Sequence, residues 1–133
     1  VDLKRVYGQD EQRAKDGVRV SLAPDAGVVI RPADNADARA EIDRLNRQYS
    51  AVLRTEGRLR QDALDEIECR VLAHHVIVDW WGLTENGTEV AFSPDTAVDV
   101  LRRYPEFRAQ VSIQASRRTH FALADDRDGQ GNS

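Results

Sequence analysis

Apolar and polar positions along the chain change period several times, and each change marks an element. Val18, Val20 and Leu22 alternate with Arg19 and Ser21, the two-residue period of a half-buried strand. Ala23-Pro24-Asp25-Ala26-Gly27 is turn chemistry, and Val28-Val29-Ile30 reads as a second strand that closes a hairpin before Arg31-Pro32. The period then lengthens. Ala38, Ile42, Leu45, Tyr49, Val52 and Leu53 recur at helical steps, which predicts a helix from about Ala36 to Arg54. Asp34 or Asn35 would cap its start, and Gly57 would supply a left-handed cap beyond its end.

Leu64, Ile67, Val71 and Leu72 predict another helix, from about Gln61 to Val78, with Asp62 as its cap. Its later part, Val71 to Trp81, is apolar nearly all round and reads as the core helix. Asn86-Gly87 is a strong hairpin signal, because both central positions of a type I′ turn need positive φ. Leu83–Glu85 and Thr88–Phe92 would be its short arms. Ser93-Pro94-Asp95 starts a helix: serine caps, proline fits the first helical position, and the acid favours the dipole. Ala97, Val100, Leu101 and Tyr104 form its buried stripe. Pro105 ends it and opens a last helix carrying Phe107, Val111, Ala115 and Phe121.

The pattern as a whole predicts a mainly α fold: about four helices with a small N-terminal β-hairpin. Residues 1–16 read as a flexible arm, 17–124 as a single domain, and 125–133, acidic and Gly-rich, as a disordered tail. A chain of 133 residues has room for one domain with a core.

Composition narrows the function. Hydrophobic residues are 41% and charged residues 32%, a soluble balance, and no apolar run approaches the roughly 20 residues of a membrane span. No signal-peptide pattern opens the sequence, and a single cysteine, Cys69, fits a reducing compartment. The net charge of −4 lacks the basic footprint of a nucleic-acid binder. The arginine pairs 102–103 and 117–118 then read as surface, where they can also meet an acidic partner or nucleic acid.

Reactive residues do not assemble into a site. His74 and His75 are adjacent, so on a helix they diverge and cannot chelate one ion together, and Cys69 stands at an awkward offset from both. Asp65, Glu66 and Glu68 surround Cys69 and work against a thiolate nucleophile. Asp79 is a lone carboxylate. The glycines are scattered singly and make no phosphate loop. No cofactor, metal or enzymatic activity is expected. Trp80 and Trp81 cannot both face the core squarely from one helix; they are either buried under the Leu83–Phe92 loop or leave one ring as an interface anchor. The candidate protein-interface residues are Trp80, Trp81, Arg102, Arg103, Phe107 and Phe121.

The order of motifs resembles the tail assembly chaperones of long-tailed, siphovirus-like phages, prophages and gene-transfer agents. The resemblance rests on the hairpin, then Arg31-Pro32-Ala33-Asp34-Asn35 leading into a helix with Tyr49. Trp81-Gly82, Glu85-Asn86-Gly87, Phe92-Ser93-Pro94-Asp95, Leu101, Pro105 and Phe121 continue it. The doubled tryptophan and the Pro-Ala-Asp context before Asn35 depart from the pattern. The resemblance implies a non-enzymatic protein of the host cytoplasm that binds the tape-measure protein and helps recruit tail-tube protein during assembly. Self-association is compatible with it. Two other readings stand beside it: a structural tail-completion or connector subunit, and a small helical DNA-binding regulator.

Overall fold

The alternating segment forms the expected hairpin. Strand β1 (Val18–Ala23) pairs antiparallel with β2 (Ala26–Ile30), with Val18 opposite Ile30 and Val20 opposite Val28. These four side chains are buried, while Arg19 and Ser21 face outward. The computed structural model describes residues 1–123; the tail expected over 125–133 lies outside the described residues.

The hairpin does not stand alone, and here the expectation of a mainly α fold with about four helices is overturned. A third strand, β3 (Ile77–Trp81), lies antiparallel on the other side of β2, with Val28 opposite Trp80 and Val29 opposite Asp79. The sheet order is β1-β2-β3, and a separate two-stranded hairpin, β4 (Thr84–Glu85) with β5 (Thr88–Glu89), follows. The protein is an α+β fold. The correction has a physical cause. A run that is apolar all round fits a buried helix and a buried strand equally well. Val76, Ile77 and Val78 are β-branched and favour the strand, and β2 offers them a pairing edge.

The helix expected from Gln61 to Val78 therefore ends early. It is α5 (Arg58–Val71), followed by a π-helical turn (Leu72–Val76) in which the Ile77 N–H donates to the Leu72 carbonyl. The wider turn hands the chain from helix to strand. Asp62 does not cap α5. Gly57, at φ 74°, immediately precedes the helix, and Asp62 instead pairs with Arg58 at 3.4 Å on the surface.

The earlier helix is broken in two, α3 (Ala36–Gln48) and α4 (Ser50–Leu53), with Tyr49 between them at ψ 14°. Asn35 is the cap: its side-chain oxygen accepts the Ala38 N–H at 2.9 Å. Its amide nitrogen also donates to the carbonyls of Pro32 and His75, each at 2.8 Å, and so ties the start of α3 to the π turn. The remaining long helices, α6 (Pro94–Arg103) and α7 (Pro105–Ala115), start where Ser93-Pro94 and Pro105 predict; Ser93 Oγ accepts the Thr96 N–H at 3.1 Å.

Helix α5 packs against α3, α4 and α6, and its buried side chains join those of the sheet's inner face in one core. Phe121 belongs to that core at 2% exposure, from a 3₁₀ turn (Arg118–Phe121) rather than from the last helix. Residues 1–16, read from sequence as an arm, form two short helices, α1 (Leu3–Tyr7) and α2 (Glu11–Asp16), capped by Asp2 and Asp10. They are fastened to the 3₁₀ turn: the Asp10 N–H donates to the Phe121 carbonyl at 2.8 Å, and Arg118 donates to the Val6 carbonyl at 2.6 Å.

Candidate protein-interaction site

Strand β3 ends at Gly82, whose φ of 72° turns the chain sharply; a Cβ there would stand 1.9 Å from the Asp25 carbonyl oxygen. The chain then makes the hairpin that the sequence predicts, with Asn86 at φ 53° and Gly87 at φ 80° in the turn. The hairpin folds back toward Trp80. The Trp80 indole N–H donates to the Val90 carbonyl at 2.7 Å, and the ring meets Phe92 and Phe107 edge-on, at centroid distances of 5.1 and 6.3 Å. Edge-to-face packing of this kind places a ring's positive rim against a negative face.

Between the hairpin and the helices lies a cavity of about 330 Å³, lined chiefly by Trp80, Leu83, Val90, Val100, Tyr104 and Phe107. Its size falls at the small end of ligand pockets, enough for one or two large side chains. Charge enters at its rim. The Glu85 carboxylate accepts hydrogen bonds from Arg103, at 2.5 Å, and from the Tyr104 hydroxyl. Arg103 also pairs with Asp99 at 3.0 Å, and its guanidinium stands 5.2 Å from the Tyr104 ring centroid. The Arg103 contact, then the Tyr104 hydroxyl, holds the Glu85 carboxyl below its usual pKa, and the same carboxylate pushes the Tyr104 phenol up. The hairpin is thus latched to the C-terminal end of α6 by a network at the surface.

Of the six candidate interface residues, Trp80 and Phe107 line this cavity, and Arg103 stands beside it through its bond to Glu85. The other three lie elsewhere. Trp81 is on the opposite face of the sheet from Trp80, as strand alternation requires. It packs against Gly27, where a Cβ would come within 2.3 Å of the indole, and the Arg19 guanidinium stands 4.0 Å from its ring centroid. Arg102 grips Glu66 with two hydrogen bonds, at 2.9 and 3.0 Å, and so joins α6 to α5. Phe121 is interior. Sequence reasoning passed over Glu85 and Leu83 as cavity groups and placed Tyr104 in a buried stripe, whereas it is 44% exposed. The signal for Glu85 was its place beside Asn86-Gly87, which fixes the hairpin's direction.

The reactive side chains sit in settings that suit structure. Cys69 is fully buried, with an Arg108 nitrogen 3.4 Å from its sulfur, and burial pushes its thiol above the ordinary range. Glu66, one of the acidic neighbours that the sequence pointed to, pushes in the same direction, and Arg108 opposes them. His74 is exposed, and His75 lies 3.6 Å from Glu41. Among the described residues, no three His, Cys, Asp or Glu side chains come together to hold a metal ion. The Asp79 carboxylate accepts the Trp80 backbone N–H at 2.8 Å. Among the described residues, no helix is long and apolar enough to cross a membrane.

The sequence model of a protein family described as the YdaY prophage protein matches residues 33–132. No curated protein and no solved structure matches the chain.

Proposed function

We propose, for a chain that belongs to the YdaY prophage protein family, a non-enzymatic role as a tail assembly chaperone that binds the tape-measure protein and helps recruit tail-tube subunits. The observation that carries this reading is the largely apolar cavity between the small hairpin and the helices, with Trp80, Tyr104 and Phe107 in its lining. Amphipathic helices insert anchor side chains into such hollows, and a tape-measure protein is a long supply of them. The ordered motifs from Trp81 to Phe121 support the same role. Arginine–acid pairs over α5 and α6 would keep a loaded complex soluble in the host cytoplasm.

The test is a pull-down from an assembling lysate with the whole chain as bait, beside mass spectrometry of purified particles. Tape-measure protein on the beads, lost with Phe107→Asp, together with absence of the chain from particles, is the expected result. A fixed copy number in particles would make the chain a tail-completion or connector subunit. Steeply salt-dependent binding to duplex DNA, with no protein captured, would favour a regulator.

A further inference from the structure

The chain from Leu83 to Ser93 passes over the cavity and is fastened to the body in few places. Its hairpin is closed upon itself: Thr84 pairs with Glu89, Glu85 with Thr88, and the Val90 N–H donates to the Leu83 carbonyl at 2.9 Å. Among the described residues, no backbone-to-backbone hydrogen bond joins Leu83–Val90 to the sheet or to a helix. No side chain from Leu83 to Ser93 is fully buried, and neither end of the hairpin runs into regular structure at once. Leu83 and Val90, half-buried, are its apolar contribution to the body. Two polar fastenings hold it down. At its root the Trp80 indole N–H reaches the Val90 carbonyl; near its tip Arg103 and the Tyr104 hydroxyl donate to the Glu85 carboxylate. A segment with so few buried contacts opens more readily than the fold as a whole.

We propose that this hairpin is a hinged lid on the Trp80 cavity and that the Glu85 carboxylate is its latch. The lid turns as a unit about its two ends, near Leu83 and Val90, and Trp80 keeps its root in place. Root and tip differ in kind. The root bond is neutral and sheltered by a tryptophan that is 6% exposed. The tip is charged, with the Arg103 and Glu85 side chains 42% and 33% exposed, so water can take the place of each partner there. Opening also strands no cation. Asp99, 3.0 Å from Arg103 on the same helix, still pairs with it when Glu85 lifts away. Release of the tip would bare the cavity wall at Val100, which the closed lid leaves 8% exposed. The lid controls access to the cavity on which the chaperone reading rests. It is tested with no partner present, so its failure would leave that reading standing.

Thiol labelling of the full chain measures the opening. Val100→Cys places a small thiol in the cavity wall, and the native Cys69, fully buried in the core, reports opening of the whole fold in the same sample. Iodoacetamide, which is uncharged, labels both, and peptide mass mapping reads them separately. Set against its rate in the unfolded chain, the introduced thiol should react at least about tenfold faster than Cys69. Adding Glu85→Gln or Arg103→Gln should speed it about fivefold, the worth of one exposed ion pair, and leave Cys69 unchanged. The two together should be no faster than either alone, because both undo one bond. Salt raised from about 0.05 to about 0.5 M should speed labelling, and should no longer do so once Glu85→Gln is present. Hydrogen exchange of the wild-type chain adds a measurement free of variants. The Val90 amide should stay protected beyond the labelling rate, since its bond to Leu83 travels with the lid. A Val90 amide that opens as often as the introduced thiol is labelled would mean that the hairpin unravels instead of turning, and would overturn the proposal. So would an introduced thiol no faster than Cys69, or one indifferent to both Glu85→Gln and Arg103→Gln.

Discussion

The indole nitrogen of Trp80 stands 2.7 Å from the carbonyl oxygen of Val90 and donates its proton there, joining the central sheet to the strand that leaves the small hairpin. One side chain therefore both fills the wall of the cavity and holds its cover. Trp80→Phe keeps most of the ring and loses the donor, so it should cost about 1 kcal/mol of stability. Trp80→Ala should cost about 3–5 kcal/mol. Urea denaturation at neutral pH measures both. A phenylalanine variant as stable as wild type would show that the Val90 bond contributes nothing.

Two glycines share nearly the same φ and differ in their surroundings. Gly82, at 72°, would drive a Cβ into the Asp25 carbonyl, whereas Gly57, at 74°, has nothing within 4 Å of where a Cβ would sit. Gly57→Ala should lose only the penalty of its backbone conformation, φ 74° and ψ −142°, about 1–2 kcal/mol. Gly82→Ala should lose more than about 2 kcal/mol, because the backbone itself must move. Thermal unfolding ranks the two, and equal melting temperatures would contradict the close approach at Asp25.

Asn35 separates capping from bridging. In isolated helices Asp caps as well as Asn. Here the amide nitrogen of Asn35 donates to two carbonyls, and a carboxylate would face both with an acceptor. Asn35→Asp should therefore cost about 1–3 kcal/mol, no less than Asn35→Ala. If Asn35→Asp matches wild type in chemical denaturation, the bond to His75 is not holding α3 to the π turn.

Acid should weaken the fold through Glu66. Its pKa is lowered, first by the hydrogen bonds from Arg102 and also by Arg70. A carboxylate whose folded pKa is depressed contributes fully above its unfolded value, near 4.5, and the contribution disappears as pH falls through the folded value. Arg102→Gln should leave stability at pH 7 within about 1 kcal/mol of wild type, since Arg102 is half exposed and Arg70 still pairs with Glu66. It should also make the decline below pH 4.5 shallower. Glu41 with Arg44 and Glu85 with Arg103 titrate in the same direction, so the acid limb should persist in part. An unaltered limb would mean that Arg102 does not set the Glu66 pKa.

Features written in a few adjacent residues were legible in the sequence. Asn86-Gly87 names its turn, Ser93-Pro94 its helix start, and Asp34-Asn35 narrows a cap to two residues, because each depends on the dihedral or hydrogen-bonding habits of those residues alone. Val71 to Trp81 was not legible as helix, π turn and strand. What selects the strand is β2, some fifty residues earlier, and no local period records that pairing. The same reason hid the interior position of Phe121, which depends on the first two short helices. Two of the six candidate residues, Trp80 and Phe107, line one cavity, as large aromatic side chains that make broad apolar contacts readily do. Trp81 was separated from Trp80 only when the strand replaced the helix and sent alternate side chains to opposite faces.

The bond between Arg118 and the Val6 carbonyl spans 112 positions, and Gln9 bridges to Ala122 beside it. Contacts this far apart in sequence repay their closure entropy late, so the seam should form after the local hairpins and helices. It is also the seam that opens first. The first two helices hold to the body through few contacts, and a protease should find them before any part of the sheet. A ligand or a fusion that disturbed the turn at Arg118–Phe121 would be felt at Val6 and Asp10, near the far end of the sequence, as directly as at the neighbouring α7, where His120 meets Gln114.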